Sequence, residues 1–182
     1  MQTSFLIRPT PAYRDSYCEA LQEGFNQTSE MAPDAGTLAA IAADFAGHLA
    51  GLDRDGQTSV AIGAHSVPGV PSNTFWLVDR DRFIGSVSIR ARIDTPVLAH
   101  FGGHIGYGVR PSLRRQGYGT RQLALALEIC RGMGVGIARV SCAEDNIGSR
   151  RAIERNGGLL LRRCDASWFI GHAFLLYEIP LI

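Results

Sequence analysis

The sequence predicts an α/β fold in which helices flank a mixed, mostly antiparallel central sheet. Apolar and polar residues alternate from Phe83 to Ile93, which is the period of a half-buried strand. A strand, a glycine-containing loop and an apolar helix follow one another from His104 to Met133. A second strand and helix occupy Ala138 to Gly158, and two further strands follow them. These three patterns indicate strands and helices arranged around one sheet.

The composition is that of one globular domain. With 182 residues, the chain is long enough to bury about two thirds of its unfolded surface. No run approaches the roughly 18 consecutive apolar residues of a membrane span, and residues 1–9 lack the basic and apolar segments of a secretion signal. We therefore expect a single domain over residues 1–182, located in the cytoplasm and without a membrane partner.

The first part of the chain predicts short elements separated by turns. Phe5–Arg8 is a predicted strand that Pro9 ends, and helical spacing follows from Ala12 to about Gly24 and from Leu38 to Leu49. Asp53 to Asn73 is rich in turn and breaker dipeptides. A loop of that length is usually functional or mobile, so we interpret it as a lid.

The sheet continues with a predicted hairpin of Phe75–Val78 and Phe83–Ile93, and the next strand runs from about His104 to Val109. Gly106 and Gly108 in that strand indicate a bulge or the close approach of a ligand. The alternation assigns Phe83, Gly85, Val87, Ile89, Ala91 and Ile93 to one face, and Ser86, Ser88, Arg90 and Arg92 to the other. The later predicted elements are a helix from Thr120 to Met133, a strand from Ala138 to Cys142, a helix from Asn146 to Gly157, and the strands Leu159–Arg163 and Phe174–Ile179.

Charge is distributed unevenly along the chain. The chain has no lysine, which excludes a Walker-type phosphate loop and a pyridoxal phosphate Schiff base. Residues 110–163 carry eleven Arg against four acids, whereas residues 1–109 carry seven Arg against eleven acids. The basic excess suits a ligand with several phosphates. The alternative is a solvated basic face, which would account for Arg121, Arg131 and Arg155. Nucleic acid is not an expected partner, because the basic stretch lacks interleaved exposed aromatic residues.

The cysteines show no pattern of a metal site or of a disulfide framework. Cys18, Cys130, Cys142 and Cys164 are far apart in the sequence and form no Cys-x-x-Cys pair. We expect them to be reduced residues of the core, without a catalytic role, and we expect no metal.

A candidate anion site lies just after the predicted strand that ends at Val109. An Arg-rich loop follows Pro111, and Gly117 and Gly119 open an apolar helix. Unpaired N–H groups at a helix N-terminus, the positive end of the helix dipole and nearby guanidinium groups attract anions. The ligand that suits this arrangement best is a pyrophosphate.

The spacing Arg114-x-x-Gly117-x-Gly119 resembles the coenzyme A (CoA) signature of the GCN5-related N-acetyltransferase (GNAT) family, usually written Gln/Arg-x-x-Gly-x-Gly/Ala. The stretch from Asn146 to Gly157 resembles a later motif of that family, in which Asn opens a helix that ends in Gly. The resemblance implies a GNAT-like fold with acetyl-CoA as acyl donor. It also implies a variable acceptor-side region over residues 1–73 and an acyl-CoA-binding core over residues 74–182.

The resemblance further implies which groups bind the donor. Backbone N–H groups of the loop and first helical turn would hold the pyrophosphate, and the splayed strand before them would bind the pantetheine arm and the acetyl carbonyl. For Asn146, the alternative is that it acts only as a helix N-cap. The residues expected to bind acetyl-CoA are Tyr107, Val109, Arg114, Arg115, Gln116, Gly117, Tyr118, Gly119, Thr120, Asn146 and Ser149.

The catalytic base is less clearly marked. Many family members carry a Glu five residues before the Asn, where this chain has Ser141. His104 is the expected base, because an imidazole with an ordinary pKa near 6.5 accepts a proton at neutral pH, and Glu144 is the second candidate. For either residue the alternative is a structural role, with the amine losing its proton to water.

Family members often carry a Tyr seven residues after the Asn as the catalytic acid, where this chain has Ile153. Ser149 is the expected substitute, with bound water, Tyr107 or Tyr118 as alternatives. The predicted function is transfer of an acetyl group to a small-molecule or peptide primary amine by direct attack in a ternary complex, and a homodimer is an option for the assembly. The alternative, motivated by Ser141 and Ile153, is an acyl-CoA-binding sensor that has lost catalysis.

Overall fold

The computed structural model describes residues 4–26, 33–56, 59–62, 65–100, 102–165, 167, 171 and 173–181. The strands are β1 (Phe5–Ile7), β2 (Val60–Ile62), β3 (His65–Val67), β4 (Asn73–Asp79), β5 (Arg82–Ile89), β6 (Ile105–Val109), β7 (Ile137–Ala143), β8 (Leu159–Asp165) and β9 (Ala173–Pro180). The helices are α1 (Arg14–Gln22), α2 (Ala35–Ala43), α3 (Phe45–Ala50), α4 (Pro96–His100), α5 (Tyr118–Gly132) and α6 (Ile147–Arg155), with short 3₁₀ helices at Pro11–Tyr13 and Pro111–Leu113.

The strands form a four-stranded sheet in the order β1-β4-β5-β6, a three-stranded sheet in the order β7-β9-β8, and the separate hairpin β2-β3. The strand pairs of each sheet are antiparallel. An α/β fold with helices flanking antiparallel sheets is therefore confirmed. None of the helices in the described part of the chain has both the length and the apolar character needed to cross a bilayer.

Strand β6 diverges from β7. Backbone contacts join the residues just before β6 to the middle of β7: Gly103 and Val140 form an isolated bridge, and the His104 N–H donates to the Arg139 carbonyl at 2.8 Å. Among the described residues, Ile105–Val109 form no ladder with β7, although they pair with β5 along their whole length. A gap therefore opens between β6 and β7, as the family resemblance implied.

The pairing with β5 determines where the backbone of β6 points. The Arg90 N–H donates to the His104 carbonyl, and the Arg110 N–H donates to the Ile84 carbonyl. Hydrogen-bonded pairs alternate in an antiparallel ladder, so the N–H groups of Tyr107 and Val109 point away from β5 and into the gap. The β5–β6 register has no shift, so the glycines of β6 do not mark a bulge.

Helices cover the four-stranded sheet on both faces. Val87 and Ile89 pack against Leu123 and other residues of α5. On the opposite face, Trp76 stacks on Tyr17 of α1 with ring centroids 4.7 Å apart, and α2 and α3 complete this second core. The cysteines are free thiols, and Cys130, Cys142 and Cys164 are buried as expected.

One face assignment from the alternating pattern is wrong. The register between β4 and β5 shifts between Leu77 and Val78: Leu77 faces Gly85, Val78 faces Phe83, and Ile84 is the extra residue. This bulge turns Phe83 away from Val87 and into the core that contains α1.

Three element boundaries also differ from the predictions. The helix predicted from Leu38 to Leu49 is two helices, because the Asp44 side chain accepts the Gly47 N–H at 2.8 Å and caps a new helix. The strand predicted to Ile93 ends at Ile89, and α4 follows it. The segment predicted as a loop from Asp53 to Asn73 contains the hairpin β2-β3, and its residues 57, 58, 63 and 64 lie outside the described residues.

Arg110, directly after β6, links α1 to the β5–β6 pair. Its side chain is 3% exposed, and its Nε donates to Glu23 Oε2 at 3.3 Å. Its Nη1 donates to Ser16 Oγ at 3.2 Å and to the Phe83 carbonyl at 3.3 Å. Because Arg110 immediately precedes the Arg-rich loop, this buried arginine fixes the start of that loop relative to α1.

The Arg110–Glu23 contact predicts a pH-dependent contribution to stability. Glu23→Gln is expected to lower the free energy of unfolding by about 1–3 kcal/mol at pH 7, because it removes charge-assisted hydrogen bonds to a buried guanidinium. Hydrogen bonding to Arg110 lowers the pKa of Glu23 from 4.5 to about 2. A lowered carboxyl pKa stabilises the fold above about pH 4.5, and this stabilisation is lost as the pH falls toward 2. Urea unfolding of both proteins across this range measures the difference.

Glu128→Gln is the matched control, because Glu128 is an exposed carboxylate of α5 and no salt bridge of the described residues includes it. The control should change the unfolding free energy by less than about 0.5 kcal/mol at every pH. A Glu23→Gln protein as stable as the wild type at pH 7 would contradict the assigned role of the contact.

Candidate active site

Two cavities adjoin at β6. The larger, of about 1350 Å³, lies on the sheet face that α1, α2 and α3 cover. The smaller, of about 790 Å³, is lined by β6, the Arg-rich loop, α5 and α6. Gly106 lines the larger cavity, the next three residues of β6 line the smaller one, and Asn26 lines both. A ligand in each cavity would therefore meet the other beside β6.

The structure brings most of the predicted donor-binding residues together in the smaller cavity. Gln116 and Tyr118 do not line it: the Gln116 side chain donates to the Ser112 carbonyl at 3.2 Å, and Tyr118 packs near Leu77 and Leu113. The predicted residues that line it are Tyr107, Val109, Arg114, Arg115, Gly117, Gly119, Thr120, Asn146 and Ser149.

The N-terminus of α5 opens into this cavity. Arg115 has φ of 64° and Gly117 has φ of 85°, so the loop turns through two left-handed residues before the helix begins. The first helical bond joins the Arg121 N–H to the Gly117 carbonyl at 3.1 Å. The N–H groups of residues 118–120 have no acceptor within the helix and, with the helix dipole, attract an anion.

Four guanidinium groups surround the same space. Arg114 and Arg115 belong to the loop, and Arg151 and Arg155 lie on α6. None of the four is in a salt bridge within the described residues. Arg155, which the sequence left to a solvated face, lies one helical turn from Arg151, and that i, i+4 spacing was a usable signal.

A hydroxyl pair closes the inner part of this cavity. The Tyr107 hydroxyl and Ser149 Oγ are 2.9 Å apart, joining β6 to the first turn of α6. Burial raises the pKa of Tyr107 to about 12, so it keeps its proton at neutral pH. Ile153 is fully buried, so this position contributes only packing.

Asn146 caps α6. Its side-chain oxygen accepts the Ser149 N–H at 3.0 Å, which explains why an asparagine suits this position. Asn146 also lines the smaller cavity. The cap uses the side-chain oxygen, so a role of the amide NH₂ toward a ligand is compatible with the cap.

His104 lies outside both cavities and is 8% exposed. Its Nδ1 accepts the Arg139 N–H at 3.0 Å. Burial, followed by the positive charges of Arg139 and Arg90, lowers its pKa, which favours the neutral ring. A neutral imidazole that accepts at Nδ1 carries its proton on Nε2, so neither nitrogen has a free lone pair. This arrangement favours a structural role at the point where β6 leaves β7.

Glu144 also lies away from both cavities. Its two oxygens accept from Arg163 Nε at 2.8 Å and from Arg163 Nη2 at 2.9 Å, on a solvent-exposed surface. Hydrogen bonding to Arg163 lowers the pKa of this carboxyl below its usual value. The structure therefore does not bring Glu144 together with His104 or Ser149.

The larger cavity contains groups that the sequence did not single out. The Tyr17 hydroxyl lies 2.9 Å from His48 Nε2, and burial lowers the pKa of His48. Ser86, Ser88 and Arg90 line the floor, which is the polar face of β5 that the alternation predicted. No sequence signal placed Tyr17 beside His48, because the two residues belong to separate helices.

No group of three or more His, Cys, Asp or Glu side chains in the described parts of the chain is arranged to hold a metal ion. The donor set of the smaller cavity consists of backbone N–H groups, guanidinium groups and hydroxyls. Such a set suits an anionic ligand.

Comparison with known proteins agrees with this arrangement. A family model described as an acetyltransferase (GNAT) domain matches residues 9–158. No curated protein sequence matches the chain.

The chain is also similar to several solved structures, and at their low identities the similarity shows the fold. RimL, a ribosomal L7/L12 alpha-N-protein acetyltransferase in complex with CoA, has 16% identity and a TM-score of 0.61 over 99% of this chain and 95% of that chain. The microcin C7 self immunity acetyltransferase MccE, in complex with acetyl-CoA and AMP, has 12% identity and a TM-score of 0.62 over 97% of this chain and 92% of that chain. The putative acetyltransferase yncA of Salmonella typhimurium, with acetyl-CoA, has 11% identity and a TM-score of 0.57 over 98% of this chain and 94% of that chain.

The anion site predicts that Gly117→Glu abolishes CoA binding, because a carboxylate at the N-terminus of α5 would repel the pyrophosphate and fill its place. Calorimetric titration with CoA measures the effect. Gly134→Glu is the matched control: Gly134 also has a left-handed φ, of 80°, but follows the far end of α5 in open space. Both substitutions carry a similar backbone strain, so only the control should bind CoA with wild-type affinity. Native affinity in the Gly117→Glu protein would overturn the assignment.

Proposed function

The chain belongs to the acetyltransferase (GNAT) domain family, and on this premise we propose that it transfers an acetyl group from acetyl-CoA to a primary amine by direct attack in a ternary complex. The family match confirms the resemblance seen in the sequence. The observation that carries the proposal is the pair of cavities that adjoin at β6, because a donor and an acceptor bound there would place their reacting ends side by side.

Binding of the donor is assigned to the smaller cavity. The N–H groups of residues 118–120 and the side chains of Arg114 and Arg115 would hold the pyrophosphate. Arg151 and Arg155 line the same cavity and would bind the phosphate charge of acetyl-CoA that the loop does not reach. Gly119 keeps this space open, because an added Cβ would sit 3.7 Å from Tyr107 Cε2 and narrow the cavity. When bound, the thioester of acetyl-CoA supplies the acetyl group and a thiolate leaving group.

The backbone of β6 would orient and polarise the acetyl carbonyl. The N–H groups of Tyr107 and Val109 point into the gap between β6 and β7, where no strand of the described residues pairs with them. Fixed N–H donors directed at a developing negative charge are an effective source of rate enhancement. Side-chain substitution leaves them in place, so the hydroxyl pair is the better target for mutation.

The Tyr107–Ser149 pair would stabilise the departing sulfur. Complete proton transfer from a phenol of pKa about 12 to a thiolate of pKa about 8.5 is unfavourable by about 5 kcal/mol. We therefore assign Tyr107 and Ser149 the role of hydrogen-bond donors, with the final proton coming from solvent. This role agrees with the buried Ile153, which leaves α6 without the tyrosine that many relatives carry.

Deprotonation of the amine is the remaining step. The base roles of His104 and Glu144 stay predictions, although both residues are engaged outside the cavities. His48 lines the acceptor cavity and burial lowers its pKa, so its neutral ring is the candidate proton acceptor within that cavity. The division into an acceptor-side region and a donor core, the cytoplasmic location and a homodimer also stay predictions.

Thiol release with acetyl-CoA, measured across a panel of amines, peptides and lysine-containing peptides, tests the proposal. Mass spectrometry of the products should show an acetylated amine formed in step with the free thiol. CoA binding without thiol release from any amine would favour the acyl-CoA sensor instead. The solved relatives include enzymes named for a protein N-terminus and for spermidine, so the panel covers both kinds of acceptor.

Tyr107→Phe is expected to lower kcat by about 10–100-fold while changing the CoA dissociation constant by less than about threefold, because only the hydroxyl contact with the leaving sulfur is lost. Tyr13→Phe is the matched control: its hydroxyl donates to the Arg80 carbonyl at 2.9 Å, outside both cavities. Steady-state kinetics and calorimetry of the two variants measure the effect. Equal kcat values for the two variants would contradict the role assigned to Tyr107.

His104→Asn separates the two roles of His104, because an Asn oxygen can still accept the Arg139 N–H. If the histidine is structural, kcat keeps the shape of its pH profile and the Asn variant is more stable than His104→Ala. A base contributes about 10²–10⁴-fold to rate. A fall of that size in His104→Asn, with unchanged CoA affinity, would establish His104 as the base and contradict the structural interpretation.

A further inference from the structure

The larger cavity contains two arginines that the reaction described above does not use. Arg90 lies directly after β5 on the polar face of that strand, and Arg54 forms an isolated backbone bridge with Ser72, the residue just before β4. Both side chains line the cavity and both residues are half-buried. They therefore face the space assigned to the acceptor and not the donor cavity, which has four arginines of its own.

Neither arginine is neutralised by a carboxylate among the described residues. The contact of the Arg90 side chain is a long one, from Nη1 to the Gly103 carbonyl at 3.5 Å. The two side chains line one cavity, and burial, followed by the positive charge of Arg54, lowers the pKa of Arg90. Two half-buried cations that face one cavity are unfavourable unless an anion joins them.

The nearby acids do not supply that anion. Both oxygens of Asp53 are engaged, because Oδ1 accepts the Thr74 N–H at 2.7 Å and Oδ2 pairs with Arg8. Asp55 lies on the exposed rim of the cavity. The wall next to Arg90 is neutral and polar, since Ser86 and Ser88 precede it on the same face of β5.

From these observations we propose that the acceptor carries an anionic group, a carboxylate or a phosphate, which Arg54 and Arg90 bind together in the larger cavity. The inference rests on the proposed acetyl transfer, and it narrows the acceptor from any primary amine to an amine bearing a negative charge. Guanidinium groups pair well with both anions because their N–H donors match the spacing of carboxylate and phosphate oxygens. A diamine or polyamine would meet two like charges here and is disfavoured.

The strand register limits the length of such an acceptor. Across the sheet, Ser88 faces Gly106 and Ser86 faces Gly108. Arg90 therefore lies two to four residues along the sheet from the part of β6 where the cavities adjoin. A strand rises about 3.3 Å per residue, so this separation is roughly 7–13 Å along the strand. Gly106 leaves the intervening space open, because an added Cβ would have no atom within 4 Å. A short acceptor such as an amino acid, a small peptide or a phosphorylated amine would span this distance.

The test uses the full chain saturated with CoA, which cannot transfer an acetyl group, so binding is measured without turnover. The probes are pairs with and without an anionic group: phenylalanine and its amide, glycylglycine and its amide, O-phosphoethanolamine and ethanolamine. The two amide pairs are nearly isosteric, whereas the third pair also differs in size. NMR titration of the ¹⁵N-labelled complex gives each dissociation constant. We expect the member with the anionic group to bind about tenfold or more tightly than its partner in at least one pair, and the carboxylate and phosphate pairs show which anion is preferred.

Arg90→Gln and Arg54→Gln should each remove that preference. Arg92→Gln is the control, because Arg92 is exposed, pairs with Asp94 at 3.5 Å and lies outside the cavity. Equal binding of the members with and without the anionic group, no binding of any probe with an anionic group, or a preference that survives both cavity substitutions would overturn the inference. Thiol release with neutral amines alone would leave the acetyl transfer intact and overturn only the anionic acceptor, whereas failure to bind CoA would count against the transfer itself.

Discussion

The separation of β6 from β7 is the constraint on which the rest of this structure depends. One short contact, at Gly103 and His104, fixes where the two strands part. Beyond it, β6 keeps its full ladder with β5, so the strand stays rigid while one edge of its backbone opens to a gap. The donor cavity, the exposed N–H groups of β6 and the junction with the acceptor cavity all follow from that divergence.

The two cavities differ in how they present positive charge. In the smaller cavity, guanidinium groups accompany helical N–H groups at a loop with two left-handed residues, which is an arrangement that suits an anionic ligand. In the larger cavity, Arg54 and Arg90 line the wall together with serine residues on one face of the sheet. The buried Arg110–Glu23 contact lies between these regions and holds α1, which walls the acceptor side, against the strand that precedes the donor loop.

Local sequence rules predicted the parts of the fold and of the site that depend on neighbouring residues. The glycines that open α5 and the N-cap at Asn146 are set by a few consecutive positions, so motif spacing was enough to find them. The polar face of β5 was likewise readable from a period of two, but Phe83 was misplaced because one extra residue at Ile84 reverses the alternation.

Features that join distant parts of the chain could not be predicted in this way. Tyr107 and Ser149 are 42 positions apart, and their contact exists only because α6 docks beside β6. His104 and Glu144 are the chemically plausible bases in the sequence, but tertiary contacts occupy them: Arg139 donates to one and Arg163 pairs with the other. Similarly, no spacing rule connects Arg54 with Arg90, because the pairing of strands in the sheet brings the two residues to the same cavity.

A crystal structure of the protein with bound CoA is the most direct test of the central claim that β6 separates a donor cavity from an acceptor cavity. The account predicts that the pyrophosphate lies at the N–H groups of residues 118–120 and that the thiol sulfur lies beside the Tyr107 and Ser149 hydroxyls. The sulfur should also face the junction lined by Asn26 and Gly106. CoA bound in the larger cavity, or with its thiol directed away from β6, would contradict the account.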